Sequence, residues 1–245
     1  MKRKLLCVVP AVVFALSAWA DAPHWTYSKH GGPNHWGKLD GAESCKLGKE
    51  QSPIDIRKPT AAKLEPIPFA YTPAKAEVIN NGHTIQVNLD GAGGIRVEGA
   101  EYKLLQFHFH TPSEERVGGK ASAMVAHLVH KNADGKLAVV ALLFKHGASS
   151  AALAPVFAAM PKQAGEKAAL AANFDVTALL PQQRNYYTFN GSLTTPPCSE
   201  GVKWFVMREQ QSLSKAQITA FRKIYAMNAR PVQPLHGREV LASEF

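Results

Sequence analysis

Between residues 76 and 144 the chain is cut into short stretches rich in β-branched and aromatic residues, at 77–80, 83–89, 95–98 and 102–110, with glycine turns at Gly82 and 91–94 between them. Stretches this short, bounded this way, read as strands of a meander rather than as helices. Two more follow at 121–130 and 137–144, joined by Asn132-Ala133-Asp134-Gly135, whose Asp-Gly step is a hairpin signal that makes the pair antiparallel neighbours. Prolines at 53, 59, 66, 68 and 73 exclude a long helix upstream. Helix is expected at the alanine-rich 150–160 and 165–172, and more clearly at 215–227. There Ser214 and Gln217 form a capping-box pattern, and Ile218, Phe221 and Tyr225 recur on one face. Residues 22–50 lack periodicity and read as an irregular arm laid over the domain. No long internal repeat or low-complexity linker divides the chain, so a single, mainly β domain with a few short helices is expected.

Residues 1–20 are set apart from that domain, which spans 21–245. Met1-Lys2-Arg3-Lys4 is basic, 5–18 is apolar, and Ala18-Trp19-Ala20 has the small-x-small form of a cleavage site, which together read as a secretory signal peptide. Once it is removed, no apolar run reaches the roughly 18–20 residues of a membrane span. Loss of Lys2, Arg3 and Lys4 takes the formal net charge from +9 to +6. The remaining Lys and Arg are scattered without a basic run, which excludes a nucleic-acid patch as the basis of function. Of the three cysteines, Cys7 leaves with the signal peptide, and the even remainder, Cys45 and Cys198, suggests one bridge in an exported chain. Two buried thiols are the alternative.

The chemistry begins at Gln106-Phe107-His108-Phe109-His110. A period of two puts both imidazoles on one strand face and both phenyl rings on the other, so two nitrogen ligands sit side by side. The next stretch offers a third, at His127 or at His130. Their odd separation puts them on opposite faces, and periodicity alone does not choose between them. Three neutral imidazoles leave Zn2+ an open position, where a bound water loses its proton near neutral pH. No His-Glu-x-x-His pattern of the common metalloproteases occurs.

Five motifs occur in order: Gln51-Ser52-Pro53-Ile54-Asp55-Ile56, Asn80-Asn81-Gly82-His83, the 106–110 run, Ala126-His127-Leu128-Val129-His130, and Ser192-Leu193-Thr194-Thr195-Pro196-Pro197. Through them the chain resembles the α-class carbonic anhydrases over about 24–241, most of all the exported bacterial members. The resemblance implies a central, twisted, mostly antiparallel sheet of about ten strands, and a zinc enzyme that interconverts carbon dioxide and bicarbonate. It implies His108, His110 and His127 as zinc ligands, with His130 structural. Thr194 then accepts a hydrogen bond from zinc-bound hydroxide and donates its own proton to Glu114, a relay that suits a group able to do both. Thr195 belongs to the substrate site, and Val129, Val139, Leu193, Val202 and Trp204 form an apolar wall for a neutral, apolar substrate.

By the same resemblance His83 shuttles protons to buffer, a task suited to a pKa near 6.5, with Tyr27 and Asn81 ordering the intervening water. Gln106 is the expected partner of His108. Side esterase activity, a Cys45–Cys198 bridge, a homodimer and a periplasmic or secreted location are further expectations. One position departs from the pattern: Val125 stands where many relatives carry a Glu that bonds the third ligand. Loss of such a partner typically costs 10- to 100-fold in metal affinity or activity, so a water or a neighbouring polar group is expected to replace it. A non-catalytic binding module and a metal buffer are the rival classes. Neither needs the Thr194–Glu114 pair.

Overall fold

The computed structural model describes residues 24–244; the expected signal peptide lies outside them. A 13-stranded mixed sheet forms the centre. Ten of its strands follow one another in hydrogen-bonded order: Lys167–Ala169, Lys75–Asn80, Ile85–Asp90, Ala100–His110, Met124–Asn132, Leu137–His146, Glu200–Met207, Tyr186–Ser192, Leu241–Ser243 and Thr60–Ala62. Phe69–Tyr71, Gly93–Val97 and Gln211–Leu213 attach beside this path. Most neighbours are antiparallel. Leu137–His146 runs parallel to Glu200–Met207 and to Gln211–Leu213, as Leu241–Ser243 does to Thr60–Ala62. A small separate sheet joins Asp55–Ile56, Arg116–Val117 and Lys120–Ala121.

The sheet separates two apolar layers, and the alternation at 106–110 decides which residue enters which. Phe107 and Phe109 are fully buried on one face with Val87, Leu128 and Phe221; truncating either ring would cost about 3–5 kcal/mol. On the other face Val125, Val129, Val139, Val202 and Trp204 build a second cluster with Ile54 and Ile56. The Met124–Asn132 and Leu137–His146 strands pair from Met124–Phe144 to Lys131–Leu137 across the anticipated hairpin, where Gly135 takes a positive φ of 81°. Gly191 is needed for a different reason: a Cβ there would lie 2.2 Å from Ser52 Oγ.

Helix expectations fare less well. The 165–172 segment is not helical; it contributes the edge strand Lys167–Ala169, antiparallel to Lys75–Asn80. Alanine's helical preference is a weak bias, and a free sheet edge offers backbone partners that an eight-residue helix with little to bury cannot match. The helix expected at 150–160 contracts to Ala154–Ala159, opening on Pro155 in its first turn. The helix expected at 215–227 stops at Arg222: Lys215–Arg222 carries the capping box as expected and buries Ile218 and Phe221, while Tyr225 packs against the same cluster from beyond its end.

The arm is irregular, with short helical turns at Lys29–Gly31, Pro33–Lys38 and Ser44–Leu47. A disulfide and a buried arginine help to fasten it down. Cys45 is disulfide-bonded to Cys198. The buried Arg230 guanidinium donates to Cys45 O at 2.9 Å, Ser52 O at 2.6 Å and Gln51 Oε1 at 2.9 Å, and lies 5.7 Å above the Trp36 ring. Burial lowers the Arg230 pKa, but only to about 10, so the group keeps its charge.

Candidate metal centre

His108 and His110 leave the Ala100–His110 strand on the face opposite the phenyl rings. On the neighbouring strand His127 is the direct antiparallel partner of His108, and Val125 that of His110. The register therefore brings three rings together, with centroids 5.0 Å apart for His108–His110, 5.4 Å for His108–His127 and 4.7 Å for His110–His127. One potential ligand nitrogen from each lies within 4.8 Å of the others. His130 falls on the far face, where Nε2 meets the Tyr71 hydroxyl at 2.8 Å and Nδ1 faces Ala138 O at 3.3 Å. Burial pushes its pKa down to about 4.

Each of the three rings has its other nitrogen committed. His108 Nδ1 donates to Gln106 Oε1 at 2.9 Å, His110 Nδ1 to the Asn228 carbonyl at 2.7 Å, and His127 Nε2 to Glu115 Oε1 at 2.9 Å. A carbonyl or carboxylate can only accept, so these bonds set which nitrogen carries the lone pair of each neutral ring: His108 Nε2, His110 Nε2 and His127 Nδ1. His110 Nε2 is buried without a partner.

Burial, with repulsion from His127, holds His108 down to about 3 and His110 well below the ordinary histidine value, so both rings are neutral, as ligands must be. For His127 burial acts downward too, but the charge and hydrogen bond of Glu115 and the charge of Glu114 outweigh it and raise the pKa. Glu114 and Glu115 are themselves nearly inaccessible. Three inward lone pairs beside two buried acidic side chains suit a divalent cation: the donor set matches zinc with an open position, and the cation's charge would offset the acids.

Glu114 sits behind the imidazoles. Its Oε1 accepts from Arg230 N at 2.7 Å, and burial raises its pKa to about 7. The Thr194 hydroxyl contributes a side-chain bond that favours the carboxylate, although Oε2 has no partner of ordinary hydrogen-bond geometry. Val129, Val139, Val202 and Trp204 share the apolar cluster on this face, with Leu193 packed against it, and the Trp204 ring stands edge-on to His127 at 4.9 Å. Thr195 lies half-buried in the turn after Thr194, its carbonyl accepting from Cys198 N at 2.8 Å.

Toward solvent, His83 is stacked on Trp25 at 3.6 Å with a 6° interplanar angle, and the His24 ring is 6.5 Å away. Burial first, then His24, lowers the His83 pKa. Asn81 shapes this turn: its Oδ1 accepts from His83 N at 3.0 Å and Thr84 N at 2.9 Å. Tyr27 lies deeper, its hydroxyl held protonated by burial and by the charge of Glu114.

Four contributors were not singled out from the sequence. Asn228 accepts from His110, and its side chain also pins Thr111 N, Phe109 O and His83 O. Arg230 anchors Glu114 through its backbone, Trp25 faces His83, and Glu115 holds His127. Asn228 and Arg230 are remote in sequence and carried no local signal. Glu115 was visible only as the neighbour of Glu114.

Comparison with known proteins yields a consistent set. Residues 31–244 match the family model of the eukaryotic-type carbonic anhydrase. A carbonic anhydrase of Klebsiella pneumoniae is 45% identical over 96% of this chain and 95% of its own length. One of Pectobacterium carotovorum is 42% identical over 98% of this chain and its entire length. Among solved structures, the α-carbonic anhydrase of Thermovibrio ammonificans, in complex with the inhibitor sulfanilamide, superposes with a TM-score of 0.87 at 45% identity. That match covers 89% of this chain and 98% of the other.

Proposed function

Because the chain belongs to the eukaryotic-type, or α, carbonic anhydrase family, we propose that it is an exported zinc enzyme catalysing the reversible hydration of carbon dioxide to bicarbonate and a proton. The observation that carries the reading is the convergence of three ring nitrogens, from His108, His110 and His127, beside an apolar wall and the Thr194–Glu114 pair. A bound Zn2+ supplies Lewis acidity that brings the pKa of water near 7, which makes a nucleophile available at ordinary pH.

The chain's own residues supply the rest. Glu114, as carboxylate, accepts a hydrogen bond from the Thr194 hydroxyl and so orients the Thr194 oxygen to accept one from the nucleophile, leaving a lone pair to face the substrate carbon. Val129, Val139, Leu193, Val202 and Trp204 hold an apolar substrate and exclude competing water, and Thr195 flanks them. His83 receives the proton released when the nucleophile is regenerated, through water ordered by Tyr27 and Asn81, and passes it to buffer. The same attack on an acyl carbon would give slow hydrolysis of activated esters. The homodimer and the periplasmic location remain expectations from family resemblance; among the described residues no helix is long and apolar enough to cross a membrane.

Stopped-flow hydration assays test the proposal. Zinc-loaded protein should turn over carbon dioxide rapidly, lose the activity on chelation, regain it with zinc, and be inhibited by sulfanilamide. Folded, zinc-loaded protein that hydrates no faster than buffer would overturn it.

A further inference from the structure

The family pattern places the carboxylate for the third ligand at position 125, and this chain has valine there. Val125 is fully buried in the apolar cluster with Ile54, Ile56, Leu143 and Val206, and no polar group comes from it. The ligand is nonetheless not left bare. Glu115, 1% exposed, reaches His127 Nε2 from the loop after the Ala100–His110 strand at 2.9 Å.

That loop is built to hold it. The Ser113 hydroxyl donates to the Glu115 carbonyl at 2.7 Å and accepts from Ser122 N at 2.8 Å, while Ser113 N donates to Ser122 O at 3.0 Å. On the other side of Glu115, Arg116 N donates to Ile54 O at 3.2 Å. The backbone on both sides is therefore tied to neighbouring segments, and the side chain spends one oxygen on His127 while Oε2 has no partner. A buried carboxylate with a single bond is costly unless its position serves something.

We propose that Glu115 is the positioning residue of the metal centre: it fixes the tautomer and orientation of His127 from the loop, taking the role that Val125 has vacated on the strand. The inference rests on the zinc reading of the site. An Nε2–H held by a carboxylate puts the lone pair of the neutral ring on Nδ1, aimed with the other two, and makes that nitrogen a stronger donor to a cation.

Three measurements test it on the full mature chain. In zinc-loaded wild-type protein labelled with 15N-histidine, His127 should show a slowly exchanging Nε2–H resonance displaced to low field by the carboxylate. Absence of a protected Nε2–H overturns the proposal without any variant. Glu115→Ala should release zinc to a competing chelator about 10- to 100-fold faster than wild type. Glu115→Gln keeps an acceptor but not the charge; it should release zinc faster than wild type and slower than Glu115→Ala, with the Nε2–H resonance moved upfield. If Glu115→Ala does not fold, Glu115→Gln and the wild-type resonance decide. Folded variants with zinc release within twofold of wild type would overturn the role of Glu115 while leaving the enzyme reading intact. Wild-type protein that binds no zinc would instead overturn the site itself.

Discussion

Removing the Cys45–Cys198 bridge should lower stability by an amount set mainly by the chain it spans. The two residues are 153 apart in sequence, and their bond ties the irregular arm to the turn that follows Thr194. Closing a loop of that length in the unfolded chain corresponds to about 5 kcal/mol in the chain-entropy description. For a domain of this size, each kcal/mol moves the midpoint by roughly 2–4 °C, so Cys45→Ser/Cys198→Ser should melt about 10–20 °C lower. Differential scanning calorimetry of wild type and double variant, both zinc-loaded and at equal concentration, reads this directly. Turnover at 25 °C should fall much less, because Gln51 Nε2 still donates to Cys198 O at 3.0 Å and Arg230 still grips the arm. A shift under about 4 °C would refute the argument and assign the anchoring to Arg230 and the buried Trp36 instead.

Val125→Glu should give no gain in zinc affinity or hydration rate, since His127 Nε2 is already bonded to Glu115. It should also lower the melting temperature by placing a third acid in a buried cluster; a tenfold gain in zinc affinity would contradict this. Thr194→Val should lower kcat/KM roughly 100-fold or more with zinc content unchanged, the scale of a lost proton-positioning group; activity within threefold of wild type would remove Thr194 from the relay. His24→Ala should raise the His83 midpoint in an NMR titration, because a nearby second imidazole opposes its protonation. The low-pH fall in unbuffered turnover, where protonated His83 can accept no further proton, should move up with it, and a midpoint that stays or drops would show that His24 exerts no such effect.

How much was readable in advance follows from the range of the interaction concerned. A period of two places His108 and His110 together, and is enough to separate them from Phe107 and Phe109. Periodicity also puts His127 and His130 on opposite faces, but not which face meets the first two; that is decided by strand register, which pairs His127 with His108 and shifts at Val129–His130. The helix misread at 165–172 failed for a related reason, since its strand exists to complete the edge beside Lys75–Asn80. Contacts across more than a hundred residues, such as Asn228 with His110 and Arg230 with Glu114, leave no local trace. The motif resemblance supplied the ordered positions that periodicity could not, yet pointed to position 125 for a group that comes from 115.

That last difference follows from what each role demands. Three ring nitrogens that are to converge on one cation require both the strand alternation and the pairing of His127 with His108; moving any one by a residue sends it to the opposite face. An acceptor for His127 Nε2 has a looser task. It must reach one N–H, and any well-held segment passing that side can provide it. Here the segment is 113–115, secured by Ser113 and Ser122, and once Glu115 is in place the strand position can become an apolar contact for Ile54, Ile56 and Leu143. Read position by position, Val125 is a loss of function; read by the atoms around His127, it is a relocated carboxylate and a larger apolar cluster.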